Sequence, residues 1–212
     1  MRTTTPLRRA LITVTATAAV VLTATGSAVA VPVSGTATAP HTATAPHTAA
    51  LSLSPLHPVV ELAAERLATA DLVAAAKWGT DSPIDDPARE QQVLDNVAAQ
   101  AQQLGADPDE IRTIFRDQIE ANKVVQRGLF QRWTDHPDEA PTTKPDLTVV
   151  RQQINQITSA LVQALADTSD NRGTFVCGPE LALATVQVHY ENHLDALHTR
   201  ALHRALPSIC RD

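Results

Sequence analysis

An all-α protein, a helical bundle of about five to six helices, is what three features of this sequence predict. Ala and Leu dominate its apolar residues, which make up 43% of the chain, and aromatics supply only 3%. Helix formers therefore outnumber strand formers. Apolar positions recur at three- and four-residue spacing, with no strand-like alternation. Asp-Pro pairs stand where that periodicity restarts, as helix starts require.

Taken in order, residues 1–30 read as an export segment. Arg8 and Arg9 give a positive start, Ala10 to Ala24 an apolar run, and Ala28-Val29-Ala30 small residues for cleavage. The run is short and rich in Thr, which suits a cleaved signal better than a retained anchor. Residues 31–54 are Ala/Thr/Pro/His-rich, with Thr-Ala-Pro-His-Thr-Ala repeated. They lack the apolar mass to fold and read as a disordered tether. The folded domain is expected over 55–212.

Within it, Val59, Leu62, Ala63, Leu67 and Ala70 carry a first helix from about Leu56 to Trp78, and Pro83 breaks it. Asp86-Pro87 caps a second helix that Gly105 ends. Asp107-Pro108 opens a third, with Ile111, Ile114, Phe115 and Ile119 on its apolar side, reaching Trp133 about 40 Å away. A Pro-rich loop follows from His136 to Pro145. A fourth helix starts near Asp146 or Leu147. Asp167 to Pro179 reads as a loop, and a last long helix is expected from about Glu180 to Leu206.

The formal net charge is −6, and without the three arginines of the export segment it is −9. A general nucleic-acid surface is thereby excluded, and an anionic ligand requires a local cluster of cations. Cys177 and Cys210 are an even pair in an exported chain, which is most simply a disulfide, with two buried thiols as the alternative. Such a bridge stabilises by about 3–4 kcal/mol in the chain-entropy description.

Several polar residues on the helices stand out. Arg66 and Lys77 are close to three whole turns apart and share one stripe, about 16 Å from each other along the backbone. Both have apolar neighbours, a setting that also suits cations snorkelling from a boundary face. Asp86, Arg89 and Glu90 cluster at the start of the second helix. Asn122 and Gln126 share a face of the third, and Arg151 lies one turn into the fourth. His189 and His193 have a spacing compatible with zinc. The rest of a zinc-protease motif is missing and no third ligand is evident, so no metal is expected.

The joint pattern is more specific than its parts. Ala64-Glu65-Arg66-Leu67, Ala76-Lys77-Trp78 and Pro83 through Glu90, then Asp117-Gln118-Ile119, Phe130 with Trp133, Asp146-Leu147, Arg151 and the two late cysteines resemble the secreted AroQ-type chorismate mutases of the gamma subclass. The resemblance covers about residues 56 to 210. It implies an enzyme, secreted or periplasmic, that rearranges chorismate to prephenate without cofactor, metal or covalent intermediate. The implied partner is the small molecule alone: no nucleic acid, no membrane after signal cleavage, and a homodimer with a complete site in each protomer.

The resemblance also implies roles. Arg66 and Arg151 grip carboxylates, and Arg89 orients the substrate. Lys77 and Gln126 donate to the ether oxygen from two sides. Glu90, with Asp86 nearby, accepts from the ring hydroxyl, and Asn122 lines the carboxylate end. Gln126 stands where secreted relatives often have Glu, Asn122 where Ser or Thr is usual, and Val93 where some have Gln. Two alternatives stay open: an exported helical protein that only binds a partner, and an isochorismate-pyruvate lyase of the same fold.

Overall fold

The computed structural model describes residues 53–211. The export segment, and all of the tether but its last two residues, lie outside the described residues. Seven α-helices and no strand occur among the described residues: α1 (His57–Lys77), α2 (Pro87–Gln103), α3 (Pro108–Asp135), α4 (Leu147–Asp167), the single turn α5 (Ser169–Arg172), α6 (Cys177–Glu191) and α7 (Ala196–Ala205). None of these helices is long and apolar enough to cross a membrane.

The helix starts follow the caps. Asp86 accepts from the Arg89 N–H, Asp107 from Asp109 and Glu110, and Asp146 from Thr148. Each carboxylate satisfies amides that the first turn leaves without an intrahelical partner. Asp86 also donates its own N–H to Glu90 Oε1 at 3.2 Å, a reciprocal closure of the α2 entrance related to the capping box. Gly105, in the left-handed region at φ +71°, ends α2 as expected.

The chain's end departs from the expected single long helix. It divides into α6 and α7, with the break at residues 192–195. His193 takes φ 49°, and Asp195 caps α7 by accepting from the His198 N–H at 2.8 Å. The start is displaced too: α6 begins at Cys177, inside the expected loop, and α5 occupies part of that loop. Cys177 and Cys210 form a disulfide that ties the start of α6 to the chain's end.

α1 is the central element and packs against α3, α4, α6 and α7, while α2 lies on α3 and α4. Val59, Val60, Ala63, Ala70 and Ala74 of α1 are all fully buried. The runs of alanine let neighbouring helices approach closely. α7 crosses α3 at Gly128, where a Cβ would stand 2.6 Å from Leu197 Cδ1. Trp78 at the end of α1 packs edge-on against Phe130 and Trp133 of α3, at 5.1 and 5.4 Å between ring centroids. These contacts hold the C-terminal ends of α1 and α3 together, and so set where Lys77 emerges.

Candidate active site

A cavity of about 210 Å³ opens between α1, α2, α3 and α4. Arg66 and Lys77 reach it from α1, Asp86, Arg89 and Glu90 from the entrance of α2, Asn122 and Gln126 from α3, and Arg151 from the first turn of α4. All eight residues singled out in the sequence for substrate binding thus line one space, though they come from four elements. Val73, Val93, Ile119, Leu147 and Ile154 supply its apolar wall.

Arg66 is the most deeply set cation, 5% exposed. Its Nε donates to Thr158 Oγ1 at 3.4 Å and its Nη1 to the Gln118 carbonyl at 3.3 Å, and the guanidinium stands over the Phe115 ring. Burial lowers its pKa to about 10, because nothing anionic compensates the lost hydration. Asn122 donates to the Arg66 backbone carbonyl at 3.2 Å and accepts from Gln126 Nε2 at 3.4 Å. Gln126 Oε1 is buried without a hydrogen-bond partner.

Lys77 donates to the carbonyls of Pro83 at 2.8 Å and Ile84 at 3.4 Å, so the loop after α1 folds over its ammonium. Desolvation lowers its pKa; the field of Asp86 opposes this, and that of Arg151 adds to it. Arg89 donates to Gln92 at 3.3 Å, and Arg151 is exposed at the rim. Among the described residues, none of these four cations forms an ion pair with an acidic side chain. Six of the eight other described arginines do.

Lys123 was not singled out in the sequence. It is buried in the cavity wall, where its Nζ meets Glu90 at 2.9 Å, Glu120 at 2.8 Å and Asp85 at 3.3 Å. In the sequence only its spacing from Glu120 is visible, and that reads as a solvated pair on a helix face. The partners from the α2 entrance become neighbours only through the packing of α2 on α3.

Elsewhere, a groove of about 500 Å³ runs between α6 and α7. Leu181, Val186, Leu202 and Leu206 line it, with no Arg or Lys, which does not suit an anion. His189 Nδ1 pairs with Thr199 Oγ1 at 3.1 Å, and among the described residues neither it nor His193 belongs to a metal-compatible group. His57, Glu61 and Glu191 do come within 4.8 Å of one another. They lie at the far end of α1 from Lys77, and His57 is already paired with Glu191 at 2.7 Å.

Fold and cavity together define a class: an all-helical protein whose bundle encloses a small, cation-lined cavity. Comparison with known proteins narrows it. The family described as chorismate mutase type II matches residues 58–127. The secreted chorismate mutase of Mycolicibacterium smegmatis is 39% identical over 158 residues, covering 74% of this chain and 87% of that one. That of Mycobacterium tuberculosis is 34% identical over 158 residues, with 74% and 79% covered. The crystal structure of a chorismate mutase from Burkholderia phymatum superposes with a TM-score of 0.71 at 36% identity, covering 76% of this chain and 98% of that one. The chain belongs to the chorismate mutase family, and it is an exported isomerase.

Proposed function

We propose that this cavity holds chorismate in its compact, chair-like conformer and lowers the barrier to prephenate by electrostatic stabilisation. The reaction is a [3,3] shift within one molecule and needs no base or nucleophile. Two demands remain: to restrain an extended substrate and to stabilise negative charge on the ether oxygen as its C–O bond breaks.

The single observation that carries this reading is the convergence on one cavity of four cations that have no acid partner among the described residues, the deepest of them buried. A buried guanidinium without a counter-charge is costly, and a bound carboxylate supplies it. Arg66 and Arg151 grip the two carboxylates, with Arg151 suited to a bidentate pair. Arg89 turns from Gln92 to the ring carboxylate. Lys77, anchored by the Pro83 and Ile84 carbonyls, offers its remaining proton to the ether oxygen. The Gln126 amide donates to that oxygen from the opposite wall. Glu90 and Asp86 face the ring hydroxyl, and Asn122 completes the carboxylate end.

Every residue in this assignment comes from one chain, which supports a complete site per protomer. A homodimer of the gamma subclass, released by cleavage after residue 30 and carrying residues 31–54 as a tether, belongs to the same reading. The test is direct: purified mature protein should abolish the ultraviolet absorbance of chorismate with prephenate as the product. Release of pyruvate instead would point to lyase chemistry, and unchanged absorbance would remove the assignment. Light scattering on the same sample reads the oligomeric state.

A further inference from the structure

We propose that Lys123 is a positioning residue for this reaction: its ammonium fixes the Glu90 carboxylate at the cavity wall and offsets its charge against an incoming dianion. The proposal rests on the assignment of Glu90 to the ring hydroxyl and adds a residue to it.

Three observations carry it. First, Lys123 Nζ is enclosed by three carboxylates and lies 2.9 Å from Glu90. Burial works against its charge, yet its hydrogen bonds to Glu120, Glu90 and Asp85 more than reverse that and raise its pKa above the ordinary lysine value. It is therefore a fixed cation across the working range of pH. Second, Glu90 is held at both ends of its reach. The Asp86 N–H donates to Oε1 at 3.2 Å, and the Lys123 ammonium meets both carboxylate oxygens at 2.9 Å. A carboxylate restrained in this way presents its remaining lone pairs in one direction, as an acceptor for a substrate hydroxyl must. Third, Lys123 reaches Asp85 at 3.3 Å, and Asp85 takes Arg127 at 2.7 and 2.9 Å. The cation thus also ties the segment leading into α2 to α3.

Charge distinguishes a positioning role from a purely structural one. The substrate carries two negative charges, and Glu90 would place a third on the same wall. Like charges a few ångströms apart repel strongly in a partly desolvated site. A lysine in contact with Glu90 removes most of that penalty without contacting the substrate. Its loss should therefore weaken binding of substrate and transition state alike, which appears in KM rather than in kcat.

Steady-state chorismate kinetics on four proteins test this: parent, Lys123→Met, Glu90→Gln and the double variant. Lys123→Met is expected to raise KM about tenfold and leave kcat within about threefold. In the Glu90→Gln background the same change should alter KM by less than about twofold, because the charge it offsets is gone. Lys123→Arg, which keeps the cation, should bring KM back to within about threefold of the parent. An equal KM penalty in both backgrounds, a loss confined to kcat, or an Arg variant as impaired as Met would overturn the proposal. Circular dichroism separates these outcomes from loss of fold. If Lys123→Met does not fold, Lys123→Gln makes the same comparison. A parent protein that leaves chorismate untouched would instead indict the underlying functional reading.

Discussion

Arg66 stands 5.6 Å from the centroid of the Phe115 ring, its guanidinium over the aromatic face. Cation–π attraction and two long hydrogen bonds stabilise the charge, but they do not replace a carboxylate. In the proposed site a substrate carboxylate completes that charge. Activity and stability should therefore move in opposite directions when it is removed. Arg66→Met is expected to lower kcat/KM by about a hundredfold or more and to leave thermal stability unchanged or raised by about 1–2 kcal/mol. Paired kinetic and melting curves check this; a variant both inactive and strongly destabilised would show that Arg66 serves the core instead.

Lys77 is held by two loop carbonyls, so its position does not depend on the substrate. If Lys77 donates to the ether oxygen as proposed, Lys77→Ala should reduce kcat by about a hundredfold or more. Turnover equal to the parent's would assign the donor elsewhere.

The pH profile follows from the same pair of donors. Gln126 carries an amide, which donates at any ordinary pH. The profile of kcat/KM should then be nearly flat from mildly acidic to neutral pH, and a steep fall between those limits would count against the assignment. On the alkaline side, Lys77 must be protonated to donate. Desolvation lowers its pKa, so activity should decline at lower pH than a free lysine would dictate. Lys77→Arg, if active, should move that limb upward.

His198 predicts a pH effect on the fold rather than on catalysis. Its Nε2 meets Asp71 of α1 at 3.0 Å and its Nδ1 meets Asp195 at 2.8 Å. The hydrogen bond to Asp71 raises its pKa to about 9; burial opposes this, and Asp195 adds to it. A folded-state pKa above the unfolded value means that the contribution is fully present below about pH 6.5 and disappears as the pH rises through about 9. Both carboxylates are about half exposed, and screening holds the effect to about 1–2 kcal/mol. Melting temperatures from pH 6 to 10 should fall for the parent and stay level for His198→Gln over that window.

The parts legible in the sequence were those encoded locally. Asp86, Asp107 and Asp146 mark helix starts because a side chain accepting from an amide two or three residues on is a short-range event. The division of the last helix was not legible. No Gly or Pro lies between Glu180 and Leu206. The break is set by His193 and the Asp195 cap, which a helical pattern of Leu194, Leu197 and Ala201 conceals.

By itself, then, the sequence determined the helical class, the Asp-Pro starts and the identity of the eight polar residues now found around one cavity. Helical spacing could place Arg66 and Lys77 on a common stripe because both belong to one helix. Only the tertiary structure decided that, among the described residues, Arg66 lacks an acidic partner and Lys123 has three. Burial and counter-charge arise between helices: Glu90 and Lys123 are 33 residues apart and meet through the packing of α2 on α3. Neither periodicity nor composition carries that distance.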